Sequence, residues 1–588
     1  MKNIIKMFYV AMIMVCFIAC DLTEYPKNVG SRETIFGSLS GLELYTNTFY
    51  RMLPSTYDGV FLIDDHSDII APKEVERRLQ PDALTPVTSS GWNSYDDWGN
   101  LRIVNYFIEN CEKSDVSGKE HYLGMARFFR AYFYFDKVKR FGDLPWIEAP
   151  IDPLDDEKLY GARTSRFEIM DKILTDLNYA IEHISLESDG TCTRITKNVA
   201  RAFKTRVCLY EASLRKYHTQ YGMQGTANTW FQEVVNTANA ITGYSLRQGE
   251  NIYREMFLQK APYADETILC VALDGGLQLF NSRNRKTISP TYGNRPALTR
   301  RFVLTYLNED GTSFTETNPN WRTMTFVEEI EGRDPRLAQT IRTPDYRRAR
   351  GGVWHAAPPN LEESYTGYQI IKGCYDEMIP FDQESRNENA HLIFRYAEIL
   401  LNKAEALVEL GQMNQQAWTE TIGALRERAG ITGTTLTTLP VLADPYMEAF
   451  YNNKWNDPVM LEVLRERCVE MVQEGLRPDD LIRWRLGELF EAVHNGMYIP
   501  ALGPYDFNDD GVIDVYFYQG DRPGDVTATY FFDVSPATGA GTRQLSEGAS
   551  GEIIWFIGPR EWLDKKYLYP IPQVAILRNP ELGQNPGW

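Results

Sequence analysis

The sequence predicts a mainly α-helical protein: a scaffold of helix pairs with an irregular, loop-rich second portion laid against it. Two observations carry this. Between about residues 40 and 242, and again from 391 to 476, apolar residues recur at helical spacing in long segments closed by Gly or Pro. Between 243 and 389, and from 497 to 588, the apolar runs are short and Gly, Pro, Asn and aromatics are frequent.

The central helical segment is 120–146, E-H-Y-L-G-M-A-R-F-F-R-A-Y-F-Y-F-D-K-V-K-R-F-G-D-L-P-W. Met125, Phe128, Phe129, Ala131, Tyr132, Phe133, Tyr134, Phe135, Val138 and Phe141 cover most of its circumference, so neighbours must wrap it on several sides. Gly142 ends it and Pro145 prevents resumption. Before it, 41–53 reads as a first helix, and the aromatic loop G-W-N-S-Y-D-D-W (91–98) leads into a helix through about Cys111. Trp98, at the start of that helix, is expected to pack. After the central segment, Ser165 and Thr196 are the predicted N-caps of helices with apolar stripes Phe167–Ile181 and Ala200–Tyr210, and 230–241 follows. Segments 391–410, 417–429 and 461–474 resume the helical pattern.

With 588 residues the chain is too long for one simple core, and two to four domains or one large composite are expected. Its net charge of −19 supplies no cationic footprint for nucleic acid. Residues 1–19 have the parts of a secretory signal: Lys2 and Lys6, then an uncharged apolar run from Met7, too short to span a bilayer. Phe17-Ile18-Ala19-Cys20 is similar to a bacterial lipobox, with Phe17 in place of the usual Leu, so Cys20 is the expected site of acylation and membrane anchoring. Cys111, Cys192, Cys208, Cys270, Cys374 and Cys468 are widely spaced without C-x-x-C, and read as buried free thiols.

Arg395, Glu398, Asn402, Glu405 and Glu409 share a polar stripe. Seven residues separate Glu398 from Glu405, about 10 Å along a helix, against about 5 Å for the carboxylates of a retaining glycosidase. An ion-pair stripe, with Arg395 three residues from Glu398, is the preferred reading, and Arg467, Glu470 and Glu474 are read likewise. No nucleophile triad, H-E-x-x-H or phosphate loop is present, and the protein is read as non-enzymatic. No cofactor is required. D-F-N-D-D-G-V-I-D (506–514) has nine positions of an EF-hand-like loop, but Phe517 stands where the bidentate Glu belongs. Asp506, Asn508, Asp510 and Asp514 are therefore candidate ligands of a structural Ca²⁺, the alternative being an acidic turn without metal.

Four blocks together resemble the SusD/RagB family of surface lipoproteins in Bacteroidota nutrient uptake: A-R-F-F-R-A-Y-F-Y-F-D-K-V-K-R-F-G-D-L-P (126–145), F-R-Y-A-E-I-L-L-N-K-A-E-A-L (394–407), R-E-R-C-V-E-M-V-Q-E-G-L-R-P-D-D-L-I-R-W (465–484) and Y-P-I-P-Q-V-A-I-L-R-N-P-E-L-G-Q-N-P-G-W (569–588). Cys468-Val469 and Pro478-Asp479 depart from the family's pattern. The resemblance implies a tetratricopeptide-like scaffold and a signal peptide at 1–19. It implies an N-terminal SusD-like region at 20–242 and a C-terminal region at 243–588, with loop-rich insert 243–389, helices 391–476 and wrapping tail 497–588. It also implies an outer-membrane lipid anchor with the body facing outward, and a SusC-like TonB-dependent transporter as partner. The ligand would be an oligosaccharide or polysaccharide, or, as alternatives, a peptide; a secreted glycoside hydrolase is the more distant reading. Glycans stack on Trp and Tyr and bond to Asn, Asp or Arg. Loop aromatics Trp92, Tyr95, Trp321, Trp354 and Tyr365, with Asn93, Asp96 and Arg322, are the expected ligand contacts.

Overall fold

The computed structural model describes residues 32–54, 61–92 and 95–588. The expectations on Cys20 and Asn93 fall outside these, and Tyr95 and Asp96 enter only as backbone.

Ten helical segments form the frame: α1 (Leu39–Asn47), α2 (Tyr95–Glu112), α3 (Lys119–Phe141), α4 (Arg166–His183), α5 (Lys197–Tyr217), α6 (Ala227–Asn239), α7 (Tyr396–Glu409), α8 (415–429), α9 (Pro458–Glu470) and α10 (Arg477–Arg483). The middle of α8, Thr419–Gly423, is a π turn. Each of α2 to α6 packs on its successor, α6 packs on α7, and α7 on α8 and α9, while α10 returns to α5. Caps set the boundaries as expected: the Ser165 hydroxyl accepts the Phe167 N–H and that of Thr196 the Val199 N–H.

α3 is wrapped on several sides. Phe129 meets Phe49 and Tyr50 of the first helical turns, Phe133 meets Trp98, and Phe128 and Phe135 meet Phe203 of α5. Phe128, Phe129 and Phe141 are fully buried, each contributing about 1.5–3 kcal/mol. The C-terminal tail closes the exit of α3. Gly142 has φ +74°, and a Cβ there would lie 2.9 Å from a Leu568 methyl. The Asn585 amide donates to the Phe141 carbonyl at 2.9 Å and to that of Tyr569 at 2.7 Å, and the Tyr569 N–H donates to the Arg140 carbonyl. Gln584 pairs through its amide with both backbone groups of Ile571.

The sequence pattern misplaces the start of α7. Residues His391–Arg395 form a buried strand, antiparallel to Thr267–Val271, and helix begins only at Tyr396. The run L-I-F suits a strand buried on both faces, and a short apolar run does not separate that case from a buried helix. The tail adds two three-stranded sheets, Thr542–Leu545/Gly551–Phe556/Asn495–Ile499 and Tyr530–Asp533/Val515–Tyr518/Gly503–Tyr505, whose short strands give a weak sequence signal. One apolar core runs from Phe36 to Leu582, so both portions share it. The six cysteines from Cys111 to Cys468 are free and buried. Among the described residues no helix is long and apolar enough to cross a membrane.

Candidate functional site

The polar stripe on α7 is a buried ionic frame, but its pairs differ from the helical-spacing expectation. Arg395 does not pair with Glu398. Extended backbone at residue 395 turns its guanidinium to Glu470 at 2.6 Å and to both Glu474 oxygens at 2.7 Å. Glu398 is held by Arg206 of α5 at 2.7 Å through both oxygens, Glu405 by Arg483 and the Trp484 indole, and Glu409 by Lys216 and Tyr217. Arg428, Arg395 and Arg336 converge on Glu470 and, against its burial, hold its carboxyl well below the usual carboxylate range. Glu398 and Glu405 each face their own arginine within the frame, not a shared cleft.

Two recesses flank the first turn of α2. The larger is a groove of about 780 Å³ with Trp98, Trp146 and Tyr160 along it and Glu148, Arg578 and Asn579 at its polar edge. Pro145, at the end of the F-G-D-L-P turn, delivers Trp146 out of the helical layer. One face of Trp146 stacks on Tyr134, centroids 4.3 Å apart, and its indole N–H donates to Glu148 at 2.6 Å. That bond, with Lys172 nearby, holds the Glu148 carboxyl below its ordinary value, so an ionised acceptor sits at the rim. Trp98 is half-buried, its N–H bound to the Trp92 carbonyl at 2.8 Å, and Tyr160 is half exposed. Asn579 fixes the loop opposite by donating to the Gly161 carbonyl. The smaller recess, about 440 Å³, is lined by Asp97, Asn100, Tyr132, Asp136 and Arg206. Burial pushes the Tyr132 hydroxyl up to about 12, so it is a neutral donor there. Apolar rings beside spaced donors and acceptors suit ligands with C–H faces and hydroxyls.

The residues singled out from sequence are dispersed. Trp92 borders the groove but is 6% exposed, packed edge-on between Trp98 and Phe141, and offers no free face. Tyr365, 3% exposed, is stacked parallel on Trp555 at 4.2 Å. Trp321 is half-buried against Tyr446, and the exposed Arg322 guanidinium lies 4.2 Å over its ring. Trp354 is well exposed, at 53%, on the hairpin Arg347–Arg350/Val353–Ala356. None of Trp321, Trp354 and Tyr365 lines the groove.

The loop carrying Asp506, Asn508, Asp510 and Asp514 spends its oxygens on its own backbone. Asp506 accepts from Gly511, Asp510 from Val512 and Asp514 from Phe507, each at 2.8 Å, and the Asn508 amide donates to Asp510. Burial, with Asp506 and Asp510 nearby, raises the Asp514 carboxyl. Among the described residues no group of three or more His, Cys, Asp or Glu side chains is arranged to hold a metal ion.

Residues 275–588 match the model of the SusD family, more than half of the chain. The chain belongs to the SusD family. A second family model, described as starch-binding associating with outer membrane, matches residues 73–209. SusD-like protein P38 of Formosa agariphila is 25% identical over 510 residues, 82% of this chain and 91% of that protein. The fold is similar to that of a SusD-like carbohydrate binding protein from Bacteroides fragilis, with TM-score 0.66 and 21% identity, covering 94% of this chain and all of that one. It is also similar to surface glycan-binding protein A from Bacteroides fluxus, with TM-score 0.56 and 18% identity, covering 94% and 99%.

The SusD-type blocks thus have structural work: the tail block caps α3, and the blocks at 394–407 and 465–484 build the ionic frame. Trp98, expected only to pack, and Trp146 and Tyr160, not singled out from sequence, line the groove of this SusD-family chain. A signal for Trp146 was present: a Trp immediately after a Gly-x-x-Pro helix stop lies outside any helical stripe.

Proposed function

We propose that this chain is a non-catalytic glycan-binding lipoprotein of the outer membrane. Acylated Cys20 anchors it with the body facing outward, and it hands its glycan to a SusC-like TonB-dependent transporter. The observation that carries the binding is the groove of Trp98, Trp146 and Tyr160 with an ionised acceptor, Glu148, and the Arg578 guanidinium at its edge. Family membership, and the carbohydrate- and glycan-binding names of similar structures, support the ligand class. The pairing of Glu398 and Glu405 with separate arginines supports the non-enzymatic reading.

A screen of polysaccharides by affinity electrophoresis tests binding, and Tyr160→Ala, at a half-exposed position, is expected to weaken it without altering the fold. Shortened glycan products on incubation would refute the non-catalytic reading. Cys20→Ala is expected to release the protein from the membrane fraction; retention there would refute the anchor.

A further inference from the structure

In an acidic chain, one surface of the insert carries four cations that no described carboxylate pairs. Arg347 and Arg350 are exposed on the hairpin Arg347–Arg350/Val353–Ala356, and Arg285 and Lys286 are half-exposed on the helix Arg283–Thr287; among the described residues none of the four has an ion-pair partner. The two elements meet through Asp382, whose carboxylate accepts from Arg348 at 2.6 and 2.8 Å and from the Asn284 amide at 3.1 Å. This bridge sets the helix carrying Arg285 and Lys286 beside the base of the hairpin, where Arg347 lies, while Arg350 adjoins the turn at its tip.

Of the carboxylates on the same surface two are ion-paired and two are hydrogen-bonded but keep their charge, against four cations without a described carboxylate partner. Glu377 accepts the Gly351 and Gly352 N–H groups at the hairpin tip, Asp382 is held as above, Glu384 pairs with Arg386, and Asp345 accepts the Thr343 hydroxyl. Two exposed rings lie among the cations: Trp354, 53% exposed, and Tyr292, 56% exposed with the Arg285 guanidinium 4.7 Å over it. The hairpin strand Val353–Ala356 is exposed along its whole length, so the Trp354 ring is held out by a rigid two-stranded element.

We infer that this face binds a polyanionic glycan, one bearing uronate carboxylates or sulfate esters, with Trp354 and Tyr292 as stacking surfaces and Arg285, Lys286, Arg347 and Arg350 as partners of the anions. The inference rests on the glycan-binding reading and adds a second contact surface, separate from the groove beside α2. Guanidinium groups bind carboxylate and sulfate through paired N–H donors, and aromatic rings supply the sugar with a surface that simple polyanions lack a match for. The net charge of −19 does not prevent this. At physiological salt, charges more than about 8 Å away are largely screened, so the local cations decide.

The full chain, purified in detergent, is tested by affinity electrophoresis and calorimetry against polygalacturonate, a sulfated galactan, neutral starch and polyglutamate. Wild type is expected to bind at least one anionic glycan, more weakly at 300 than at 50 mM NaCl, and the responding glycan identifies carboxylate or sulfate. Arg347→Gln/Arg350→Gln and Trp354→Ala, all at exposed positions, are each expected to lower that affinity about tenfold. Anionic-glycan binding unchanged by these variants, or equal binding of polyglutamate, would overturn the inference. Starch binding unaffected by them, with no anionic glycan bound, would overturn the inference and leave the glycan-binding reading standing. Retention of no glycan of either charge would overturn both.

Discussion

Asn585→Ala should destabilise the protein by about 3–5 kcal/mol. Asn585 is 4% exposed. Its amide donates to the Phe141 and Tyr569 carbonyls at 2.9 and 2.7 Å, and its oxygen accepts from Arg163 at 2.7 Å. Alanine leaves the buried Phe141 carbonyl, the partly buried Tyr569 carbonyl and one N–H of the half-buried Arg163 guanidinium without this partner. Each neutral bond is worth about 1 kcal/mol and the one to the charged group about 1.5–3 kcal/mol. Urea unfolding followed by tryptophan fluorescence measures the loss from the midpoint and slope. The variant combined with Arg163→Ala should cost less than the two single changes together, because they share a bond. A cost below 1 kcal/mol, or strict additivity, would refute the assignment of the tail as the cap of α3.

Further predictions concern the ionic frame, pH and metal. Glu405→Gln, which breaks the buried pair with Arg483, should cost about 3–5 kcal/mol; a cost within experimental error would remove Glu405 from the frame. Burial raises the Asp64 carboxyl to about 7, against the N–H bonds from Gly475 and Arg477 and with Asp480 and Glu474 adding repulsion. Its folded value lies above its unfolded one, so the stability it contributes is present below about pH 4 and is lost as pH rises through 7. At about 1.4 kcal/mol per tenfold change in proton affinity, the loss is about 4 kcal/mol. Stability measured from pH 4 to 8 should therefore fall less in Asp64→Asn than in wild type, and parallel curves would contradict this. The loop 506–514 closes through its own hydrogen bonds, so the thermal midpoint should be equal in 1 mM Ca²⁺ and in excess EDTA. A calcium-dependent rise would establish Asp506, Asn508, Asp510 and Asp514 as a metal site.

The helical frame was legible because caps and periodicity are local. Ser165, Thr196 and Gly142 end or begin helices through bonds made within a few residues. Strand His391–Arg395 was not legible, because what decides it is pairing with Thr267–Val271, more than 100 residues away. The same holds for Arg395, whose partners Glu470 and Glu474 come from a different segment. Aromatic content pointed to ligand platforms but could not rank them. Trp92 and Tyr365 sit in loops by sequence and in the interior by packing, while Trp98, Trp146 and Tyr160, from three separate segments, line one groove whose far wall is the tail at 575–582.

The groove beside α2 is proposed to be where a glycan binds. Calorimetric titration of wild type, Tyr160→Ala and Trp98→Phe with the glycan selected by the polysaccharide screen tests it most directly. Wild type should bind saturably and Tyr160→Ala at least about tenfold more weakly, with the unfolding midpoint of that variant unchanged. Equal affinity in wild type and both variants would contradict it.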